Sequence, residues 1–532
     1  MFNNIKMKYK VVIPTAGLGS RLKSLSKHIN KALVTIENKP CISYIIEKFP
    51  LDVEFVIPLG YKKETVRDYL TIAHPDRKFT FVEVFPFEGE GSGLGLSILS
   101  CKDYLQCPFI FCSNDTIVSD EIPAPDYNWM GYADIDDTEQ YRSIRFERNS
   151  NISEICSKGA TGNVKPYIGL AGIYDYELFW NSMETGKSDG SIEIGESFGL
   201  KSILIKNVLP IKFNWFDTGN LQSLLKCRMA FKKEDSPNIL EKEEEAIWFV
   251  DHKVIKFSID NEFIHNRVKR SKFLGSYIPE VLSESDNMYS YAKVEGEIFS
   301  KNPTSESFNF FLEWMKGFWD KKQLNELQKN EFKSICMNFY KDKTYKRVKQ
   351  YFNRFEQIDS EEIINGKVIP KVSVLLDKVD WEYVSDGLPV RFHGDLHFEN
   401  ILINESGNTP FTLLDWRQDF GGIIEYGDIY YDFAKLLHGL IISHELINQN
   451  LFTVNHKLNR IDYDFLRKQS LIDCQNVLAD YVKVNNFDLH KVELLTSLIF
   501  LNIAPLHHYP YTSLLFYLGK SMLFENLKIN SL

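Results

Sequence analysis

Between residues 10 and 115 short apolar runs alternate with amphipathic segments. KVVIPTA, VEFVIPLGY, KFTFVEVF and CPFIFCSND read as buried strands, each bounded by polar or turn residues. CISYIIEKF, ETVRDYLTIA and GLGLSILSCKDYL, lying between them, carry apolar residues at helical spacing. This strand–helix alternation predicts a mostly parallel sheet with helices on both faces. Ligands of such sheets bind at the carboxyl ends of the strands. AGLGS and CSND both follow strand ends, so they are expected to face one site.

The rhythm changes near residue 232. FKKEDSPNILEKEEEA is charged, holds a proline and lacks an apolar period, and reads as a linker, with a solvated helix as the alternative. AIWFVDHKVIKFSID then predicts two strands, NEFIHNRVKRSKFLG a helix, and MYSYAKVEGEIF another strand and turn. From about residue 303 helical patterns dominate, interrupted by PVRFHGDLHFENILI and FTLLDWRQD. The expected domains are 1–232, a linker at 233–245, a small β-rich lobe at 246–302 and a helical lobe at 303–532.

A chain of 532 residues is too long for one ordinary core and fits two to four domains. The net charge of −10 argues against a protein that coats nucleic acid, although a small anion needs only a locally basic pocket. No apolar run reaches bilayer-spanning length, and MFNNIKMKYK lacks a signal-peptide core, so no membrane insertion is expected. Eight cysteines are scattered without a Cys-x-x-Cys pair, as in a cytoplasmic protein with reduced thiols and no zinc site. The expected partners are small-molecule substrates, and a homo-oligomer is left open.

HGDLHFENILIN and FTLLDWRQDF span residues 393–420. The spacing His-x-Asp-x-x-x-x-Asn puts Asp395 and Asn400 on one tight loop, and Asp415 ends the apolar run that follows. Phosphoryl transfer needs such parts: a carboxylate for the proton of the attacking hydroxyl, and hard oxygen ligands for Mg²⁺. HGDLHFEN followed by Asp-Trp-Arg resembles the aminoglycoside/choline phosphotransferase family, small-molecule kinases with a bilobal, protein-kinase-like (α+β) fold. The resemblance covers roughly residues 240–532. It implies Asp395 as catalytic base, Asn400 and Asp415 as magnesium ligands, and structural roles for His393, Asp428 and Asp432. It also implies a strand lysine for the ATP phosphates: Lys256 in KVIKFSID is the candidate, Lys253 its competitor. Glu262, opening the next helix, either pairs with that lysine or lies on the surface. YAKVEGEIF, residues 291–299, stands where the adenine hinge would be.

The loop AGLGSRL has no third glycine at position 22, which is Leu22, and no Gly-Lys-Ser/Thr, so it is neither a dinucleotide fingerprint nor a Walker loop. Lys31 follows in NKALVTIENK, Asp115 ends the strand FIFCSND, and Asp217 sits in FNWFDTGN. Together, over about residues 8–232, these resemble the nucleotidyltransferase family that makes NDP-sugars and related activated compounds, an α/β Rossmann-like domain. The resemblance departs at Asn30, where the family prefers proline. It implies that the backbone of Gly17, Leu18, Gly19 and Ser20 cradles a triphosphate, Arg21 stabilises the leaving pyrophosphate, and Lys31 screens the α-phosphate. Asp115 and Asp217 then share a Mg²⁺. The nucleophile is already an anion, so the chemistry needs positioning and charge neutralisation and no general base.

The acceptor pocket is read more coarsely. Lys158 in EICSKGATG, with Lys165 as rival, matches a phosphate-contacting lysine of the family. Glu193 or Glu196 in SIEIGESF would bind hydroxyls or an amine, and Gly93 in GSGLGLSI would allow close approach of the nucleotide base. A kinase makes a phosphate monoester and a nucleotidyltransferase consumes one. The joint expectation is an enzyme that uses ATP, then a second NTP (CTP or UTP), to make an NDP-activated precursor of cell-surface polysaccharide. A sugar acceptor is preferred. The alternatives are an amino alcohol such as choline, for which Trp314, Phe318 and Trp319 could supply an aromatic cage, and a chain in which one domain is inactive and regulatory.

Overall fold

A computed structural model describes residues 8–135, 138–147, 150–232, 243–405 and 409–527. The expected linker thus lies outside the described residues, except for its last three positions. The chain forms two compact units, Met1–Asn261 with Leu282–Tyr291, and Glu262–Val281 with Ala292–Leu532.

The first unit is built on a nine-stranded sheet. Its centre is four parallel strands in the spatial order Phe109–Cys112, Lys10–Val12, Glu54–Leu59, Lys78–Glu83. Apolar runs form the inner three because both faces are covered, while the edge strand Lys78–Glu83 is mostly half-buried or exposed. Val11, Phe55 and Ile110 point into one core, while their neighbours Val12, Val56 and Phe111 point into the other. The chain runs from the first strand out to one edge, then returns to place Phe109–Cys112 on the other side of Lys10–Val12. The strand order reverses there, and such a switch point opens a crevice at the carboxyl ends. AGLGS and CSND both leave the sheet at this crevice, as expected. Beyond it the sheet turns antiparallel through Lys165–Ile173. A two-stranded ribbon, Trp215–Asp217 with Thr116–Val118, sets Asp217 opposite Thr116 and so beside Asp115.

The hairpin Glu245–Val250 and Lys253–Ser258 forms a four-stranded sheet with Met288–Ala292 and Val281–Glu284. Trp248, Ile255, Phe257 and Met288 share the first unit's core, where Trp248 meets Tyr69 edge-on at 5.0 Å. The region expected to form a small lobe, 246–302, is therefore divided between the two units.

The second unit is mostly helical. Ile429–Ile441, Leu489–Ile503 and Tyr511–Asn526 are its most buried helices. Contrary to the expectation that no run reaches spanning length, Leu489–Leu506 is by length and composition apolar enough to cross a membrane despite Lys491 and Glu493; 67% of it is buried. The motif segments form a small sheet, Gly296–Ile298, Ile401–Asn404 and Phe411–Leu413. A further four-stranded sheet, made of Glu362–Ile364, Lys367–Ile369, Phe452–Lys457 and Arg460–Phe465, was not expected. Its short strands are mostly exposed or half-buried, so they show no clear apolar alternation. All eight cysteines are free.

Candidate active sites

In the first unit the glycine loop is fastened to its neighbours by named contacts. Gly19 has φ +69°, and a Cβ there would come within 2.7 Å of Lys31 Cβ, so glycine lets the loop lie against Lys31. The Ser26 hydroxyl donates to Gly19 O at 2.9 Å. A side chain on Gly17 would meet nothing within 4 Å, and Leu18 and Ser20 remain at least partly accessible. Asn30, where proline was the family's preference, is fully buried. Its amide donates to Thr15 O and Tyr61 O, both at 2.8 Å, and its oxygen accepts from Ala32 N at 3.0 Å. These bonds hold the Lys31 segment against the strand ends, which a proline ring could not do.

Asp115 is the centre of this cluster. Its Oδ2 is 3.1 Å from Lys31 Nζ and 3.8 Å from Arg21 Nη2, and its Oδ1 accepts from Ser113 Oγ at 2.5 Å. Burial alone would raise its pKa, but Lys31, the Ser113 hydrogen bond and Arg21 outweigh that and hold it down to about 2. Asp217 accepts from Tyr141 Oη at 2.9 Å and from Gly219 N at 2.9 Å. A Cβ on Gly219 would stand 3.0 Å from Asp115 Oδ2, 3.0 Å from Asp217 Oδ1 and 3.3 Å from Arg21 Nη2. The missing side chain thus leaves a space flanked by both carboxylates, which fits a magnesium ion that takes one or two carboxylates and completes its shell with water and phosphate oxygens. Among the described residues no group of three His, Cys, Asp or Glu is placed to hold a metal.

Gly219→Ala is expected to put a methyl group into this space. Nucleotidyl transfer should fall by about 10²-fold while the melting temperature and ATP-dependent phosphorylation stay near wild type. Steady-state pyrophosphate release measures it, and full activity in the variant would remove the cation from this position.

The remaining candidates separate. Glu196 is buried, and burial raises its carboxyl to about 7 despite the nearby Arg142. Glu193 and Lys158 are exposed. Lys165 is paired with Asp134. A side chain on Gly93 would strike Ile192 O at 2.4 Å, so the close approach it permits is that of the 191–194 backbone.

In the second unit Asp395 is gripped from two sides. Lys435 Nζ, on the helix Ile429–Ile441, lies 2.7 Å from Oδ1, and His397 Nε2 lies 3.8 Å from Oδ2. Burial opposes ionisation of Asp395, yet these two cations hold its carboxyl well below the usual range. His397 also meets Glu399 at 2.9 Å; the two carboxylates overcome its burial and raise it to about 9, so it is an imidazolium at neutral pH. The Asn400 amide donates to Asp395 O at 2.9 Å, which leaves its side-chain oxygen as the atom a cation would take. Leu414 N donates to Asn400 O at 2.8 Å, tying the loop to the strand that ends at Asp415. Asp415 has φ +56°, uncommon outside glycine, and accepts from Arg267 Nη1 at 3.1 Å.

The backbone around this loop is clamped. Asp432 accepts from His393 N at 2.8 Å, Gly394 N at 2.7 Å and Trp319 Nε1 at 3.0 Å. Burial still raises its carboxyl to about 6. Asp428 caps the helix that carries Asp432 and accepts from Tyr340 Oη at 2.7 Å. The fully buried Arg270 donates to Ile424 O, Arg417 O and Phe392 O. Phe318 and Trp319 are core residues and Trp314 packs on Phe411, so these three do not form an open aromatic cage. Lys256 is buried on its strand 6.0 Å from the Tyr291 ring centre and belongs to the first unit; Glu262 is exposed and opens the second.

Sequence reasoning missed Lys435, Arg267, Tyr141 and Ser113. A signal existed for Lys435. It follows Asp432 by three positions, hence on the same helical face, and Asp432 holds the backbone next to Asp395. No comparable signal distinguishes Arg267 among the cations of NRVKRSK.

Residues 348–466 match the model of the phosphotransferase enzyme family, APH. Over 247 residues the chain is 29% identical to the bifunctional protein GlmU of Methanocaldococcus jannaschii, covering 44% of this chain and 57% of that protein. Over 136 residues it is 30% identical to a UTP–glucose-1-phosphate uridylyltransferase of Mycoplasma pneumoniae, covering 22% of this chain and 47% of that one. The chain thus spans about half the length of these curated relatives. A solved CTP:phosphocholine cytidylyltransferase (LicC) from Streptococcus pneumoniae aligns at 18% identity and TM-score 0.35, covering 42% of this chain and 100% of that one. The chain therefore carries a nucleotidyltransferase domain in its N-terminal part and an APH-family phosphotransferase domain in its C-terminal part.

Proposed function

We propose that the chain phosphorylates a small hydroxyl compound, a sugar, with ATP and then couples the phosphate ester to a second NTP. Pyrophosphate leaves, and the product is an NDP-activated precursor for cell-surface polysaccharide. The observation that carries this reading is the presence on one chain of two acidic constellations suited to nucleotide chemistry, Asp395–Asn400–Asp415 and Asp115–Asp217. One would make the monoester that the other consumes.

In the first reaction Asp395 orients the acceptor hydroxyl and takes its proton as the oxygen bonds to the γ-phosphorus and the bond to the β,γ-bridging oxygen breaks, releasing ADP. Lys435 and His397 hold that carboxylate in place and ionised. Asn400 and Asp415 would hold magnesium, which neutralises phosphate charge when bound. In the second reaction an ester oxygen attacks the α-phosphorus of the NTP and pyrophosphate departs. Lys31 and Arg21 offset the charge of the phosphates, the loop 17–20 supplies backbone donors, and Asp115 and Asp217 would hold the metal. Glu196, buried near this cluster, is the candidate for the sugar hydroxyls; Lys158 and Gly93 keep only their family-based roles. The bilobal form of the kinase and the nucleotide-binding roles expected of Lys256 and Glu262 belong to the same proposal, whereas the expected 246–302 lobe is not one of the two units. The closed packing of Phe318 and Trp319 favours a sugar over a quaternary amine. Tracing the γ-phosphate of ATP into the final product tests this reading, as set out at the end of the Discussion.

A further inference from the structure

Beside Asp395 the second unit gathers four cations, Lys343, Arg347, Arg417 and Lys435, of which only Lys435 has an ion-pair partner among the described residues; one carboxylate, Asp419, stands in the wall of the cleft beside them. Lys343 Nζ lies 4.4 Å from the Phe339 ring centre and 5.7 Å from that of Tyr431. The Arg417 guanidinium lies 5.0 Å from the same Phe339 ring. Among the described residues neither Lys343, Arg347 nor Arg417 has an ion-pair partner; Arg347 bonds only to the neutral Gln350, and the Arg417 Nε donates to a backbone carbonyl, Asp419 O. Lys435, the fourth cation, is taken by Asp395. A cleft of about 290 Å³ has Lys343 and Arg417 in its lining, together with Ile335, Phe339, Asp419 and Gly421; Arg347 and Lys435 lie outside it.

The cleft adjoins the catalytic loop. Arg417 N donates to His393 O at 2.9 Å, and a Cβ on Gly394 would meet Arg417 Cβ at 2.6 Å, so Arg417 lies directly against the residue before Asp395. The widened turn Asn338–Asp342, a π-helical segment, carries Phe339 and leads into Lys343 at the opposite wall. Burial, with help from Arg417, Lys435 and Arg347 and against the pull of the Tyr431 phenol, lowers Lys343 to about 8. Burial would raise the Tyr431 phenol, yet Lys343, Lys435 and Arg417 bring it below its ordinary value. The lowering of Tyr431 against its burial is the effect of these neighbouring cations. Unpaired like charges held this close are costly in a partly buried site, and an anionic ligand would offset that cost.

We propose that this cleft is the acceptor subsite of the phosphotransferase, and that the acceptor is a hydroxyl compound bearing its own carboxylate or phosphate. This rests on the kinase reading above and narrows it. Lys343 and Arg417 grip the anionic group, which leaves a hydroxyl beside Asp395. That oxygen bonds to the γ-phosphorus, its proton passes to Asp395, and ADP departs with the electrons of the broken bond. A cationic amino alcohol would be repelled from such a wall.

The test uses the full chain with Mg·ADP and four probes: glucuronate, glucose 6-phosphate, glucose and choline. Thermal-shift titration up to about 20 mM should show stabilisation by an anionic probe and none by glucose or choline. Comparing the two anions separates a carboxylate site from a phosphate site. Lys343→Gln and Arg417→Gln should weaken the anion at least about tenfold, whereas Lys343→Arg and Arg417→Lys, which keep the charge and guard against a folding defect, should retain it. No stabilisation by either anion, stabilisation unchanged in the Gln variants, or stabilisation by choline overturns the proposal. Phosphoryl transfer from ATP, assayed in parallel on the same probes, separates the two readings. Anion binding that depends on Lys343 and Arg417, in a chain that transfers phosphate to none of the probes even with magnesium and ATP supplied, counts against the kinase reading. Transfer to glucose or choline without such dependence overturns the subsite alone.

Discussion

Asp395→Asn is expected to lower ATP-dependent phosphorylation by about 10³-fold while leaving the coupling of a supplied phosphate ester to NTP near the wild-type rate. Asparagine matches the shape of the carboxylate but cannot take the hydroxyl proton. It also leaves Lys435, 12% exposed, without its partner at 2.7 Å. An unpaired buried charge destabilises a fold, so the second unit should melt earlier, and the rates are to be read below that transition. The asymmetry between the two reactions is the informative part. Separate assays of ADP formation and pyrophosphate release will show it. Equal loss of both reactions would mean that the two sites are not independent.

Asp217→Ala should produce the opposite pattern. Phosphorylation continues, pyrophosphate release drops by about 10²–10³-fold, and the monophosphate accumulates as a phosphorus NMR signal. Asp217 is fixed by Tyr141, Gly219 and Asn220, so its oxygens point to a defined place, and Gly219 keeps that place open. Removing the carboxylate deletes half of the acidic pair while Lys31 and Arg21 remain on Asp115. Normal yield of NDP product from this variant would sink the assignment of Asp217 to the metal.

Much of this organisation was readable from residues alone. The four parallel strands, three of them buried apolar runs and the fourth the half-buried edge strand Lys78–Glu83, each lie at the segment whose pattern predicted a strand. The glycine loop and CSND meet because consecutive parallel strands put their carboxyl ends on one side. Asp395 and Asn400 share a loop because their spacing is local. The small sheet at 362–369 and 452–465 escaped notice because its strands are short and exposed. The strands near 250 were expected in a separate lobe, yet Trp248 and Phe257 pack in the first unit's core, a tertiary choice that no local pattern records. Electrostatic partners were the least legible. Lys435, Arg267 and Arg417 come from different segments, and which cation of many turns inward depends on packing. Glu193 and Glu196 differ by three positions, and only burial tells them apart.

The central claim is that the phosphate donated by ATP becomes part of the activated product. The direct measurement supplies ATP labelled in its γ-phosphate, unlabelled CTP or UTP, and a panel of neutral and anionic sugars and amino alcohols. For an accepted compound, the label should appear first in a phosphate monoester and then in the NDP product, on the phosphate distal to the nucleoside. Pyrophosphate should be released unlabelled. Label that ends in inorganic phosphate or pyrophosphate, or an NDP product formed without it, would contradict the two-step account.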